Sequence, residues 1–282
     1  MILSREEAFR KLQITEIEIL DAVSNFFETH NITWFLDSGT VLGAMRHGGF
    51  IPWDDDIDIG MLRDDFEKFL ELATLEDFPK GFSVHTISDT PGFGGMYAKV
   101  FKDGTEFRTK ETVDAGFSQG IFIDVFPYDF LSNDPRESNR QLGNARLWQS
   151  VSFLMQSGEV RVPDAGAIGF LEHAACKIMH PLVKKIFIQE KVIARYRRSI
   201  LKDPNKYSNI CVPLPYSLKH PVNTLVPTCR LEFEGEQYPA PADCDSYLKI
   251  KYGDWKKLPP ENERKTHLPL FLDFGDGTIY SS

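Results

Sequence analysis

Acidic residues alternate with aliphatic residues in one short stretch of the chain, which carries the clearest chemical signal. The stretch reads DDDIDI over residues 54–59. Because side chains alternate along a β-strand, Asp54, Asp56 and Asp58 are predicted to share one face, while Ile57 and Ile59 face the core. Carboxylates two residues apart, at a Cα spacing of ~6.6 Å, can bind one hard divalent cation. Magnesium fits these oxygen ligands, with manganese as an alternative; the structural alternative is a solvated acidic turn.

A further carboxylate interrupts a later apolar run. Asp124 is the acidic residue in the sequence GIFIDVFP, which covers residues 120–127. Burial of an unpaired carboxylate costs free energy, so Asp124 must meet a metal ion or hydrogen-bond donors. We predict that it is a third carboxylate of the same site, where it binds metal or takes a proton from an attacking hydroxyl. A structural hydrogen bond to a neighbouring loop is the alternative.

A corner of small and hydroxyl-bearing residues precedes the acidic stretch. Ser38, Gly39 and Thr40 follow the apolar run ITWFL and begin a short helical pattern. Backbone amides at a helix start, together with a hydroxyl group, can hold a phosphate. Arg46 and Lys99 are candidate phosphate-binding cations, although either could equally be a surface charge. Together with the carboxylates, these groups predict a phosphoryl-transfer site.

The elements that position these residues are predicted from the spacing of apolar side chains. Residues 1–29 have helical spacing without Gly or Pro and are expected to form a packing helix. Short β-branched and aromatic runs predict strands near residues 32–36, 50–60, 82–87, 96–101 and 120–126. The predicted fold class is therefore α/β, with a nucleotidyltransferase-like mixed sheet flanked by helices.

The later part of the chain has a different pattern. Between residue 134 and about residue 201, helical spacing dominates, with Pro163 and Pro181 as expected helix boundaries. The remaining residues are rich in proline and aromatic side chains and are expected to form a loop-rich cover with short helices. The predicted organisation is a catalytic core (1–133), a helical insertion (134–205) and a C-terminal segment that completes the site (206–282).

These motifs resemble a known family. The matching segments are FLDSGTVLG (35–43), Arg46, IPWDDDID (51–58), GIFIDVFP (120–127), YGDW (252–255), Pro259, Pro260 and His267. They are similar to the LicD family, which includes the fukutin-type enzymes. The resemblance implies a nucleotidyltransferase fold and covers most of the chain, although the helical middle contributes little to it.

The resemblance also implies an activity. Members of this family transfer a phospho-alcohol, typically phosphocholine, from a CDP-alcohol donor such as CDP-choline to a hydroxyl of a cell-surface glycan or its lipid-linked precursor, and CMP is released. By position, it implies that Asp56 and Asp58 bind magnesium, that Asp124 is the third carboxylate, and that residues 38–40 contact the diphosphate. His267 could donate to a phosphate or position a base, or be a plain surface histidine. A nucleotidyltransferase that releases pyrophosphate and a non-catalytic glycan- or nucleotide-binding module are the alternative functions.

A choline head group is a quaternary ammonium ion, which is expected to bind against aromatic faces. The candidates are Trp34, Trp53, Tyr97, Phe117, Tyr128 and Trp255. Aromatic residues are more often part of a core, so the sequence singles out none of these six.

Composition and charge limit the partners and the location. The 282 residues are 42% hydrophobic with a net charge of −9, which excludes wholesale disorder and argues against a nucleic-acid partner. Without a signal-peptide pattern or a long apolar run, the protein is expected to be cytoplasmic. Residues 177–202 contain eight Lys or Arg residues and the single acid Glu190. This segment could lie on an anionic membrane at its inner face, or could be a solvated helix that covers the catalytic part.

Overall fold

The fold is taken from a computed structural model, which describes residues 1–75, 78–158, 167–214, 216, 218–264, 266 and 268–282, with residues 167–173 described for their backbone alone. The helices are α1 (Arg5–Thr29), α2 (Ser38–His47), α3 (Arg63–Leu75), α4 (Lys110–Ala115), α5 (Pro135–Gln156), α6 (Ala167–Ile186), α7 (Gln189–Arg197), α8 (Val222–Leu225) and α9 (Cys244–Tyr252). The strands are β1 (Phe35–Leu36), β2 (Asp58–Leu62), β3 (Phe82–His85), β4 (Ala98–Lys102), β5 (Glu106–Arg108), β6 (Phe122–Ser132), β7 (Tyr207–Val212), β8 (His220–Pro221), β9 (Cys229–Phe233), β10 (Glu236–Ala240), β11 (Phe271–Asp273) and β12 (Ile279–Ser281).

The central sheet is mixed, and it places the two acidic segments on neighbouring strands. Its order is β1-β2-β6-β4-β3, and β7 extends it by pairing with β6 and β8. β2 and β6 run parallel, whereas β1 and β4 pair antiparallel with these two strands. β9 and β10 form a separate hairpin, and β5, β11 and β12 form a small antiparallel sheet. The predicted α/β class with a mixed sheet and flanking helices is confirmed.

The first helix packs into the main core of the molecule. α1 begins after Ser4, whose hydroxyl accepts from the Glu7 amide while the Glu7 carboxylate accepts from the Ser4 amide. Its apolar stripe, which includes Leu12, Ile19 and Phe27, is fully buried in one cluster with the strands. Burial of this stripe fixes α1 against the sheet and holds the residues between its apolar positions close to the strands.

The middle of the chain is helical, as predicted. α5 and α7 contribute Ala145, Val192 and Tyr196 to a second apolar cluster beside the sheet. Pro181 was expected to mark a boundary, but it lies inside α6, where it is exposed. A helical proline removes one backbone hydrogen bond, and an exposed site lets water satisfy the freed carbonyl. Pro163 lies outside the described residues. Among the residues that are described, no helix is both long enough and apolar enough to span a membrane.

The C-terminal part contains short helices, as predicted, and also strands that the sequence pattern did not predict. In β9, side chains alternate between Leu231, which is partly buried, Glu232, which is exposed, and Phe233, which is buried. This period of two is only a few residues long, and prolines lie near it, so it is a weak signal. In α9, Tyr247 and Lys251 are one turn apart and share a helix face.

Candidate active site

Two parallel strands place the central carboxylates side by side. Asp58 begins β2 and is paired in register with Asp124 of β6. Neighbouring strands lie about 4.8 Å apart, and register partners point to the same side of the sheet. The predicted alternation is confirmed, because Ile57 and Ile59 are fully buried whereas Asp56 and Asp58 are partly exposed. The strand begins later than predicted, at Asp58, and the acidic residues before it form a loop.

Desolvation and mutual repulsion raise the pKa of carboxyl groups in this cluster. The pKa of Asp58 is raised well above its usual value, first by desolvation and then by the charges of Asp56 and Asp124. The pKa of Asp54 is raised to about 8, by desolvation first and then by Asp56 and Asp55. Carboxylates crowded in this way are stabilised by a nearby positive charge. The residues present therefore suit a hard divalent cation such as magnesium.

Lys99 supplies one positive charge to this cluster. Its Nζ lies 2.6 Å from Asp124 Oδ1, and the two side chains are 8% and 13% exposed. Desolvation raises the pKa of Asp124, and Lys99 opposes this increase. Lys99, which the sequence makes a candidate phosphate contact, is paired with a carboxylate in the structure. In the described ranges no three acidic, histidine or cysteine side chains converge on one point. Binding of one ion by Asp56, Asp58 and Asp124 together therefore requires their side chains to turn towards a common point, and Asp124 Oδ1 already contacts Lys99.

The corner at the start of α2 is held by a buried carboxylate. Asp37 accepts hydrogen bonds from the Ser38 amide at 2.6 Å, from the Tyr128 hydroxyl at 3.0 Å and from the Tyr247 hydroxyl. Ser38 has a φ of 51°, in the left-handed region that costs free energy for a residue other than glycine. The Ser38 amide therefore already has a hydrogen-bond partner. Its contact with Asp37 holds the strained backbone of Ser38 in place beside the carboxylate cluster.

The other two residues of the predicted corner touch the acidic stretch directly. A Cβ at Gly39 would lie 2.5 Å from Asp54 Oδ2, so this position requires glycine unless Asp54 moves. Thr40 Oγ1 accepts a hydrogen bond from the Asp58 amide at 2.9 Å. The structure therefore brings the predicted phosphate corner and the predicted metal ligands into a single cluster.

Arg46 lies at the edge of this cluster, and His267 lies outside the described residues. Arg46 donates from Nη1 to the Trp255 carbonyl at 3.2 Å. Desolvation lowers the pKa of Arg46, and the nearby phenol of Tyr252 opposes this decrease. The pKa of that phenol is raised by desolvation and then by the charges of Asp58 and other acids of the cluster. Arg46 is therefore close enough to the site to interact with an anionic substrate group that extends past Tyr252.

Two further charged groups belong to the site and have little signal in the sequence. Lys251 of α9 donates a hydrogen bond to Ser38 Oγ and lies 3.8 Å from Asp37 Oδ1. Glu16 of α1 is 1% exposed, and the structure shows no hydrogen-bond partner for its Oε2 among the residues it describes. The pKa of Glu16 is raised well above its usual value by desolvation, then by Asp56 and its neighbours. In the sequence, Glu16 could have been noticed as an acid among the buried positions of α1, and Lys251 by its one-turn spacing from Tyr247 in α9.

A cavity of about 440 Å³ opens beside Asp56 and Lys99. Its aromatic lining consists of Phe93, Tyr97, Phe107, Phe117, Phe122 and Phe153. Glu111 of α4 adds a carboxylate to the wall. Of the six aromatic candidates from the sequence, Tyr97 and Phe117 belong to this wall, while Trp34 and Tyr128 are buried in the main core. The cavity thus presents aromatic side chains and a carboxylate next to the carboxylate cluster, and the Lys99 ammonium already lies over the Phe122 ring, 3.2 Å from its centroid. The rings that Lys99 does not contact, such as Phe117, are those that suit an alkylammonium group.

Comparison with known proteins gives a consistent result. Residues 31–152 match the family described as LicD/FKTN/FKRP, nucleotidyltransferase domain. The chain is 29% identical over 266 residues to lipopolysaccharide cholinephosphotransferase LicD of Haemophilus influenzae, with 92% of this chain and 95% of that protein covered. It is 29% identical over 106 residues to human ribitol 5-phosphate transferase FKRP, with 38% of this chain and 19% of that protein covered. An uncharacterised protein of Rickettsia prowazekii is 39% identical over 92 residues, which are 28% of this chain and 35% of that protein. These matches confirm the resemblance stated above.

Proposed function

Because residues 31–152 belong to the nucleotidyltransferase domain of the LicD/FKTN/FKRP family, we propose that this phosphotransferase moves phosphocholine from CDP-choline to a hydroxyl of a cell-surface glycan or its lipid-linked precursor. CMP is the other product. The observation that carries the proposal is the set of Asp56, Asp58 and Asp124 beside an aromatic cavity. Similarity to a cholinephosphotransferase over 92% of the chain supports phosphocholine as the transferred group.

Magnesium would be held by Asp56 and Asp58, with Asp124 as the third carboxylate. Bound there, the ion would supply positive charge to the diphosphate of the donor. Lys251 is well placed to bind a phosphate oxygen, because it already donates to Ser38 at the start of α2. Arg46 would contribute a second positive charge from the edge of the cluster.

In the transfer step, the acceptor hydroxyl attacks the phosphorus of the phosphocholine group, and the bond from this phosphorus to the CMP oxygen breaks. Asp124 would take the proton of the hydroxyl. Lys99 would act through Asp124, because its ammonium group holds one carboxylate oxygen in place and favours the ionised form. A carboxylate fixed in this way is oriented before the acceptor arrives.

The aromatic wall favours choline over a polyol such as ribitol. The Phe117 ring can bind a trimethylammonium group, at ~0.5 to 2 kcal/mol for a good contact. Each ribitol hydroxyl would instead need a hydrogen-bond partner when it leaves water. The ring faces supply no such partner, so a polyol would have to use the polar residues of the wall, such as Gln156 and Ser157.

The test is CMP release from a panel of donors by purified protein in the presence of magnesium. CDP-choline is expected to be preferred over CDP-ethanolamine, CDP-glycerol and CDP-ribitol. Asp56→Asn and Asp58→Asn should each abolish release, whereas Asp64→Asn, at the exposed start of α3, should leave it unchanged. Phe117→Leu should raise KM for CDP-choline about fivefold, which corresponds to the loss of ~1 kcal/mol of cation–π contact.

Several outcomes would contradict the proposal. Full activity of Asp58→Asn would exclude the carboxylate pair from the reaction. Pyrophosphate release from a nucleoside triphosphate, without cleavage of any CDP-alcohol, would identify a nucleotidyltransferase instead. Donor binding without turnover, even with a glycan acceptor present, would identify a binding module.

A further inference from the structure

Large apolar side chains cluster on the outer surface of α6. Ile178, Leu182 and Ile186 follow one another at four-residue intervals and are 69%, 50% and 69% exposed. At 100° per residue they form a continuous stripe along the helix. Met179, which is 44% exposed, widens this stripe, and Ile188, which is 53% exposed, follows just after the end of α6. We call these five residues the outer apolar stripe.

The opposite face of α6 is already packed against the rest of the chain. Val183 is buried, and the His180 ring contacts the Leu154 carbonyl at 2.7 Å. Phe187, just after the helix, makes an edge-to-face contact with Trp148 of α5. α6 therefore has apolar residues on two faces. Its inner face packs against the rest of the chain, whereas its outer face is exposed. A second apolar face of this kind marks an interaction surface.

Basic side chains are concentrated in the segment that carries the outer apolar stripe. Residues 177–202 contain eight Lys or Arg residues and one acid, in a chain whose net charge is −9. Lys185 is exposed and, at 100° per residue, lies about 20° from Ile178 around the helix. Exposed apolar side chains in a strongly basic segment complement a bilayer whose surface is anionic and whose interior is apolar. A purely apolar protein partner would leave these cations without a counterpart.

We propose that the outer apolar stripe and the flanking Lys185 dock on an anionic membrane surface, with α6 lying in the plane of the interface. The stripe would enter the boundary between head groups and acyl chains, while the Lys185 side chain, which flanks the stripe, would reach the lipid phosphates. The rest of the chain carries more negative than positive charge, so an anionic surface would repel it. This repulsion would favour contact through the basic face alone.

α6, whose outer face carries the proposed docking surface, packs with its inner face beside the cavity of the active site. Gln156 and Ser157, at the end of α5, line that cavity. The next residue, Gly158, packs on α6, because a Cβ built there would lie 3.4 Å from Lys177 Cα and 3.5 Å from His180 Cβ. Docking through the outer face of α6 would therefore leave the helix, about 10 to 12 Å in diameter, between the bilayer and this end of the cavity. A lipid-linked acceptor could reach the cavity across this distance, a consequence that rests on the proposed function.

The test is flotation of the purified protein with vesicles at low salt. Binding is expected to vesicles of phosphatidylglycerol and phosphatidylcholine, and it should fall with added salt and with pure phosphatidylcholine. The triple substitution Ile178→Ser, Leu182→Ser and Ile186→Ser should weaken binding at least about tenfold. The double substitution Lys184→Gln and Lys185→Gln should weaken it at least about fivefold, mainly through the loss of Lys185.

Matched variants control for loss of apolar surface and of charge elsewhere. Leu75→Ser with Leu258→Ser removes apolar side chains that are 72% and 45% exposed, and Lys80→Gln with Lys206→Gln removes two exposed charges. All variants should keep the wild-type melting temperature, because the substituted residues are exposed, and the control variants should bind vesicles like wild type.

Absence of binding to anionic vesicles at low salt would overturn the proposal, as would wild-type binding by the stripe variant. A dimer in sedimentation that dissociates on substitution of the stripe, with vesicle binding unchanged, would make the surface a contact between copies of this chain. CMP release from CDP-choline in solution is measured without vesicles, so it reports on the proposed function separately.

Discussion

Replacement of Lys99 by methionine tests the carboxylate cluster most directly. The substitution removes the charge that faces Asp124 and keeps most of the side-chain volume. The Lys99 ammonium lies 2.6 Å from Asp124 Oδ1, and both side chains are largely buried. Breaking a buried ion pair from one side leaves the other charge uncompensated, at a cost of about 3 to 5 kcal/mol. Asp56 also repels the charge of Asp124, which adds to the cost of leaving Asp124 unpaired. The loss of stability is therefore expected in the upper part of this range.

The loss of stability in Lys99→Met should depend on pH in a defined direction. Lys99 lowers the pKa of Asp124, so its removal raises this pKa further above the usual 3.8. A carboxyl whose pKa is raised in the folded state favours folding while it is protonated, and this contribution is lost as pH rises through the raised pKa. The variant should therefore be close to wild type near about pH 4 and clearly less stable at about pH 8.

Urea unfolding with and without magnesium provides the measurement. If the carboxylates bind magnesium, the ion raises the unfolding midpoint of both proteins, and raises it more in Lys99→Met, where Asp124 lacks its counter-charge. Lys102→Met is the matched control on the same strand, because it removes a more exposed ion pair with Glu18. This control should cost less than about 1 kcal/mol. An equal response to magnesium in the two variants would refute the assignment of the carboxylates as metal ligands.

Three further substitutions test the corner and the buried acid. Ser38→Gly relieves a φ of 51° but removes the hydroxyl that accepts from Lys251, so stability in thermal unfolding should change by less than about 1 kcal/mol, while donor binding weakens; unchanged donor binding would contradict this. Gly39→Ala places a Cβ 2.5 Å from Asp54 Oδ2 and should lower kcat at least about tenfold, whereas Gly143→Ala, where a Cβ meets nothing within 4 Å, should leave kcat unchanged. Because the pKa of Glu16 is raised in the folded state, its carboxyl group makes the fold lose stability as pH rises above 4.5. The Glu16→Gln variant should therefore be at least about 1 kcal/mol more stable than wild type at about pH 8 in urea unfolding. A variant with the same pH dependence of stability as wild type would contradict this reasoning.

Features with a local cause could be predicted from the sequence. The burial of Ile57 and Ile59 follows from side-chain alternation, and the length of α1 follows from a capping residue and an uninterrupted apolar stripe. The closeness of Asp58 and Asp124 could be stated as a hypothesis, because isolated acids in apolar runs need partners. The pairing of β2 with β6, which brings them into register, depends on contacts over more than sixty residues and has no local signature.

The role of Lys99 illustrates what the sequence leaves open. A lysine in a strand can face a phosphate, a carboxylate or solvent, and the choice depends on which strand lies beside it. Here β4 runs antiparallel to β6 with Lys99 opposite Asp124, so the nearest available charge is a carboxylate. A shift of the register by one residue would have turned the lysine to the other face of the sheet. Long-range register therefore decides the chemistry of this side chain.

The strained corner explains why the C-terminal part of the chain contributes to the site. A left-handed Ser38 persists only where the surrounding structure fixes it. Asp37, which is 1% exposed, provides that restraint by accepting from the Ser38 amide and from two phenols. One phenol, Tyr128, belongs to β6, but the other, Tyr247, belongs to α9 together with Lys251. α9 lies beyond residues 31–152, so the family match ends before the helix that holds the corner in place. These contacts support the proposal that residues 206–282 complete the active site.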